Sequence, residues 1–283
     1  MKNRIFNKPF KKDYSENRSE KQNNFKQDYR QRASKNDDGE NYLLYGKHPV
    51  LLAIKNPNRK IFRVLCTKNS LNFLQENLSD KEISKLNIEV LDPQKIDKLF
   101  YLKNSKEEVT HQGLVAEVEV LSQPSIEDVS ENYNFIVALD KITDPHNVGA
   151  IIRSAKAFGA DCVISKDKNS PPENATIAKT SAGYIESVAY ARFSSLSKSL
   201  EYLKEQGFII VGLSGKAEIS VNKFTQKGNI CLVVGSEGKG ISENIQALCD
   251  YLVKVEISDA VESLNASVAT AIALHSIKIN NFC

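Results

Sequence analysis

The residues best suited to do chemistry fall in three places. Near the C-terminus, Val233-Val234-Gly235-Ser236-Glu237-Gly238-Lys239-Gly240 reads as a strand running into a glycine-rich turn, and Glu262-Ser263-Leu264-Asn265-Ala266-Ser267 opens an apolar helix. Much earlier, Asn147 and Arg153 share an amphipathic segment. Glycines let backbone N–H and C=O groups approach a ligand closely; a carboxylate and amides can orient it, and a guanidinium can stabilise an oxyanion. The expected chemistry is that of an enzyme with a cofactor pocket.

Two familiar explanations for such a turn fail. Gly235 to Gly240 spells G-x-x-G-x-G, which is not the dinucleotide fingerprint G-x-G-x-x-G, and it follows a late strand. Neither Lys216, followed by Ala217, nor Lys239, followed by Gly240, completes a phosphate loop G-x-x-x-x-G-K-[ST]. A nucleotide polyphosphate is therefore not the expected ligand. Alone, the turn could be a tight connection and Arg153 a solvated helix arginine. What points to a site is the combination: Asn147, Arg153, Glu237, Ser263 and Asn265 lie on or beside elements with apolar interiors.

These residues need elements to position them. The apolar run 135–139 predicts a buried strand, then a polar loop over 140–146 and a helix over 147–158 with Asn147 at its N-cap. Val148, Ile151, Ile152 and Ala155 recur at helical spacing, and Gly159 marks the stop. At 100° per residue Arg153 lies roughly 140° from Val148, away from the core. Further strands are predicted at 161–165, 187–191, 208–213, 229–234 and 251–257, with helices at 175–181, 196–206 and 242–249. This alternation implies a predominantly parallel α/β sheet covered on both faces, in which ligands bind beyond the carboxyl ends of the strands. Upstream, strands at 61–65, 88–91 and 114–118 and helices at 49–54, 71–78 and 93–102 predict a small α/β domain. The expected organisation is a tail over 1–40, a first domain over 41–120, a linker over 121–134 and a second domain over 135–283.

Composition narrows the class. A chain of 283 residues, 41% hydrophobic, can bury a sizeable core. It has no apolar run of membrane-spanning length and no secretory segment at its start, so a cytoplasmic protein without a membrane partner is expected. The five cysteines include no CxxC pair, which favours reduced core thiols and no metal site. Residues 1–40 hold 11 Lys/Arg against 7 Asp/Glu, leaving 27 against 28 in the rest. That basic, polar tail cannot offset its ordering entropy by burial and should be disordered. It would serve either as a solubilising tail or as an arm for single-stranded RNA, its cations interleaved with stacking rings.

The stretches Asn147-Val148-Gly149-Ala150-Ile151-Ile152-Arg153-Ser154-Ala155, Val234-Gly235-Ser236-Glu237-Gly238-Lys239-Gly240-Ile241 and Ser263-Leu264-Asn265-Ala266-Ser267-Val268-Ala269 resemble the three signature motifs of the SpoU (TrmH) family of RNA 2′-O-methyltransferases. Tyr45-Gly46-Lys47-His48-Pro49-Val50 and His111-Gln112-Gly113-Leu114 resemble the substrate-binding domain of its RlmB-type branch, as do Asn174-Ala175-Thr176, Lys179 and Ser181-Ala182-Gly183. The resemblance spans about residues 42 to 280.

The resemblance implies a SPOUT-type trefoil-knotted parallel-sheet domain, preceded by a ribosomal-protein-like α/β substrate-binding domain. It implies a homodimer that holds S-adenosyl-L-methionine at Gly215, Gly235, Val255 and Leu264. Arg153 would be the central catalytic group, with Asn147, Glu237, Ser263 and Asn265 orienting it, the ribose and the loop. The implied substrate is RNA, with rRNA expected: a guanosine ribose in the peptidyl-transferase region of 23S rRNA. A tRNA guanosine methylase and a non-catalytic ribosome-assembly module are the alternatives. Two departures stand out. The run Glu256-Ile257-Ser258-Asp259-Ala260-Val261-Glu262 replaces a Pro-Met and a Gly usual in the family, making the expected cofactor wall more acidic. His275 is expected on a core or interface face with Ile272.

Overall fold

A computed structural model describes residues 41–101 and 109–282. The tail over 1–40, and with it the expectation of disorder or RNA contact there, lies outside the described residues, as does Cys283.

The first part of the chain runs β1 (Asn41–Tyr45), α1 (Lys47–Lys55), β2 (Ile61–Cys66), α2 (Lys68–Asn77), α3 (Asp80–Ile83), β3 (Ile88–Val90), α4 (Pro93–Tyr101) and β4 (Leu114–Glu119). Its strands form a four-stranded mixed sheet in the order β1-β4-β2-β3, antiparallel except for β2 with β3. The segment expected as a linker holds a helix, α5 (Ile126–Asn132). Ser125 and Asp128 form a capping box at its start, and Val129 is buried.

There follow β5 (Phe135–Asp140), α6 (Pro145–Phe158), β6 (Cys162–Lys166), α7 (Ala175–Thr180), β7 (Ala189–Phe193), α8 (Leu196–Glu205), β8 (Ile209–Leu213), β9 (Ile219–Ser220), β10 (Ile230–Gly235), α9 (Glu243–Gln246), β11 (Tyr251–Lys254) and α10 (Ala266–Phe282). Seven strands make a wholly parallel sheet in the order β7-β6-β5-β10-β8-β11-β9. Their near-continuous apolar sequences follow from cover on both faces. With side chains alternating along each strand, Phe135, Val137 and Leu139 of β5 enter one core and Ile136 and Ala138 the other. In β10, Ile230, Leu232 and Val234 join the first core, and Cys231 and Val233 the second.

The first core is continuous with the interior of the small sheet, running from Leu44, Val64 and Leu114 to Val148, Ile177 and Leu274. A polar lock adds to this seam. Arg59, its side chain fully buried, pairs with Glu173 and with Glu186, at 2.7 Å each, and donates to the Glu119 carbonyl. Tyr42 Oη and the Leu121 N–H also donate to Glu173, and the Asn56 amide donates to Glu186. No described helix is long and apolar enough to cross a membrane.

Candidate active site

The site lies at the carboxyl ends of β5 and β10, which pair from Phe135–Ile230 to Asp140–Gly235. Gly235 ends β10, and the chain folds straight back over it: a Cβ there would overlap the backbone of Gly240 and Ile241. Only a glycine permits this closure, which the Gly240 N–H completes by donating to the Ser236 carbonyl at 2.8 Å. Gly238 and Gly240 take left-handed conformations, with φ of +74° and +65°. Glu237 is thus held at the tip of the loop, exposed.

Two helix starts converge on it. Asn265 precedes α10, and its Oδ1 accepts from the N–H groups of Ser267 and Val268, at 2.9 and 3.4 Å, as an N-cap does. With its oxygen so engaged, its amide nitrogen must turn outward. That Nδ2 donates to Glu237 Oε1 at 2.5 Å and to Asn147 Oδ1 at 3.0 Å. Asn147 Nδ2 donates to the same glutamate oxygen at 3.3 Å, and the Ala266 N–H reaches it at 3.4 Å. A carboxylate at the start of a 17-residue helix also sits in the favourable end of its dipole. Asn147 is not the N-cap of α6, as its sequence position suggested. Asp144 caps the helix by accepting from the His146 N–H, with Pro145 at the first position.

Three of the five expected polar residues, Asn147, Glu237 and Asn265, therefore meet. Arg153 does not join them. It is exposed on α6, six residues beyond Asn147 and hence about 9 Å along the helix axis. Among the described residues it makes no hydrogen bond or ion pair. Ser263 is exposed, just ahead of α10, and likewise has no described partner.

The expected cofactor residues fall at the carboxyl ends of β8, β10 and β11 or in the loops that follow them. Gly215 is exposed after β8, with open space where a side chain would project. Val255 and Leu264 are half-buried on either side of the loop joining β11 to α10. Half-buried apolar side chains and an exposed glycine backbone are groups that suit an adenosyl sulfonium. β11 ends at Lys254, short of the expected 257, and Glu256, Asp259 and Glu262 are all exposed, so the acidic span stays solvated.

One feature on the far flank of the loop escaped sequence reading. Asp140, at the end of β5, is buried and accepts from both the N–H and the Oγ of Ser242, at 2.7 and 2.6 Å. Its only sequence signal was its place in a polar loop after an apolar strand.

A second polar group lies where the two sheets meet. Lys179 of α7 donates to the Thr110 carbonyl at 3.2 Å and to Gln112 at 3.4 Å, and stands 5.8 Å from the Tyr45 ring centroid. Burial pushes its ammonium below the usual lysine range. His111 contacts Asp97 through Nε2 at 2.8 Å, and its Nδ1 accepts from the Gly113 N–H. His275 is exposed on α10, its ring edge-on to Phe158, and Ile272 is also exposed rather than on a buried face.

A parallel sheet with a polar cluster at its strand ends, joined to a small mixed sheet, defines an α/β protein whose candidate site lies beyond the carboxyl ends of its strands. The chain belongs to the SpoU rRNA Methylase family, whose model matches residues 134–275, while that for RNA 2′-O ribose methyltransferase substrate binding matches residues 43–124. It is 32% identical over 241 residues to the 23S rRNA (guanosine-2′-O-)-methyltransferase RlmB of Escherichia coli, covering 82% of this chain and 96% of that one. It is 34% identical over 241 residues to an uncharacterized tRNA/rRNA methyltransferase of Synechocystis, there spanning 83% of this chain but only 62% of the relative. Among solved structures, the SpoU methyltransferase AviRb from Streptomyces viridochromogenes in complex with the cofactor AdoMet shares the fold, with a TM-score of 0.70 at 23% identity, over 87% of this chain and 92% of that one.

Proposed function

We propose that this chain is an S-adenosyl-L-methionine-dependent RNA methyltransferase acting on a guanosine ribose 2′-hydroxyl in the peptidyl-transferase region of 23S rRNA, in the cytoplasm. The observation that carries the reading is the hydrogen-bonded meeting of Asn147, Glu237 and Asn265, which unites all three family motifs at one end of the sheet. The RlmB relatives support the choice of 23S rRNA and guanosine. Bound beside Gly215, Gly235, Val255 and Leu264, the cofactor supplies an electrophilic methyl group on a sulfonium.

The protein's own task is then to align the ribose oxygen and ease loss of its proton. Asn147 and Asn265, locked by Glu237, give a rigid polar edge against which a ribose can be positioned. Arg153 stabilises the developing alkoxide, directly or through the adjacent phosphate. Ser263 orients the approach to the same edge.

Arg153 stands apart from the cluster within one chain, and this supports a homodimer in which it serves the neighbouring site. Val268, Ile272 and Ile279, exposed by 48%, 38% and 53%, line one stripe of α10, the helix packed against α6. Such an apolar stripe suits a second copy. The trefoil knot is supported by strand order: β11 lies between β8 and β9, so the chain that makes it must pass the short loop connecting those two.

The test is methyl transfer from labelled cofactor to 23S rRNA and tRNA transcripts. Transfer to a guanosine of the rRNA is expected, with Arg153→Ala retaining cofactor binding but losing transfer. Transfer confined to tRNA, or none to either RNA, would overturn the reading.

A further inference from the structure

Beyond the cluster, on the other side of the Gly235–Gly240 loop, lies a polar cavity of about 140 Å³ at the carboxyl ends of β5 and β6. Lys141, Lys166 and Lys168 line it, together with hydroxyls that include Ser195, Ser197 and Ser242. Among the described residues none of the three ammonium groups has a carboxylate partner. The wall carries one carboxylate, Asp140, and that one is engaged by Ser242. Three cations against one occupied carboxylate leave an excess of positive charge around an indentation too small for a nucleoside.

Two further observations point the same way. The start of α8, a helix of ten residues capped by Ser195, opens on the cavity and adds its positive dipole end. Two of the four described non-glycine residues with positive φ, Lys141 at +59° and Asn169 at +77°, stand on its rim. A lysine seldom adopts that backbone, and such outliers gather at functional sites.

The geometry points to a phosphate-binding subsite that takes a backbone phosphodiester of the substrate RNA, a short distance along the strand from the ribose held at Asn147 and Asn265. Asp140 pairs with Gly235 in the sheet, and Ser242 lies two residues beyond Gly240, so two residues of the cavity wall are tied directly to the ends of the glycine loop that carries Glu237. The RNA assignment rests on the proposed function; the anion site itself does not.

The test compares the wild-type chain with a Lys141→Gln, Lys166→Gln, Lys168→Gln triple variant and with Lys227→Gln, a control just ahead of β10 at the opposite end of the sheet. RNA affinity is read by anisotropy of a labelled 23S fragment across a salt series. The triple variant is expected to bind about 3- to 10-fold more weakly with a salt slope lower by roughly one, its cofactor affinity and unfolding midpoint unchanged. Lys227→Gln should match the wild type. In parallel, inorganic phosphate should shift the Ser195 and Ser197 amide resonances saturably in the wild type and not in the triple variant. Unchanged RNA affinity and slope in the triple variant would overturn the assignment even if phosphate binds, since the site would then serve a free anion. Absence of any phosphate response would overturn the anion site. Failure of the wild type to methylate RNA while phosphate still titrates the site would instead count against the proposed function.

Discussion

One oxygen of Glu237 accepts from Asn147, Asn265 and the Ala266 N–H, so a single atom ties the glycine loop to two helix starts. Glu237→Ala should cut methyl transfer about 100-fold, the scale of a misplaced reacting group. Because Glu237 is exposed, the unfolding free energy should drop by no more than about 1 kcal/mol, and denaturant titration separates the two effects. Cys249 permits a pH prediction. Burial first, and the Asp250 charge second, push its thiol up to about 11 from an ordinary 9.0. The folded chain then holds this proton where the unfolded chain has lost it. Its contribution is complete below about pH 9 and lost as pH rises towards 11, so thermal unfolding midpoints should fall across that window more than in Cys249→Ala. Residue types and motif spacing identified Asn147, Glu237 and Asn265. Their bonds, across 90 and 118 residues, depend on strand register, as does the Asp140–Ser242 pair, which no local pattern marks.

At the scale of elements, the loop after β10 works because Gly235 has no side chain. Gly235→Ala should force the loop open, costing about 1–3 kcal/mol and abolishing transfer, whereas Gly215→Ala, with open space before it, should fold as the wild type does. Calorimetry with a transfer assay checks both. The buried strands of the parallel sheet were legible because their apolar runs are bounded by polar turns, and the α6 stripe because Val148, Ile151, Ile152 and Ala155 keep helical spacing. Element ends were less legible. Val255 and Ile257 prolong the apolar pattern of β11, yet pairing stops at Lys254 because its outer neighbour, β9, is only two residues long. The start of α6 was set by Asp144 and Pro145 rather than by the asparagine after them. The capping box of α5 was present as Ser125 and Asp128, inside a stretch whose proline and acidic residues suggested a linker.

At the scale of the whole molecule, the two sheets are joined by an apolar core and by the buried group of Arg59, Glu173 and Glu186. Removing one member of such a group strands the others without water. Arg59→Ala should therefore cost about 3–5 kcal/mol in denaturant unfolding, and a Met-Gln-Gln replacement of all three much less. The proposed dimer is tested at the same scale. Val268→Glu with Ile272→Glu should turn a sedimenting dimer into a monomer with little transfer, and mixing Arg153→Ala with Asn265→Ala subunits should restore activity that neither has alone. The buried group also bears on how such proteins can be recombined. Glu173 and Glu186 belong to the catalytic part and Arg59 to the other, so a chimera that grafts a relative's substrate-binding part onto this sheet inherits two sequestered acids. Unless the donor brings a cation to the place of Arg59, the two parts will be individually sound and jointly incompatible, and such an exchange will succeed only where the incoming part carries a cation that can meet both acids.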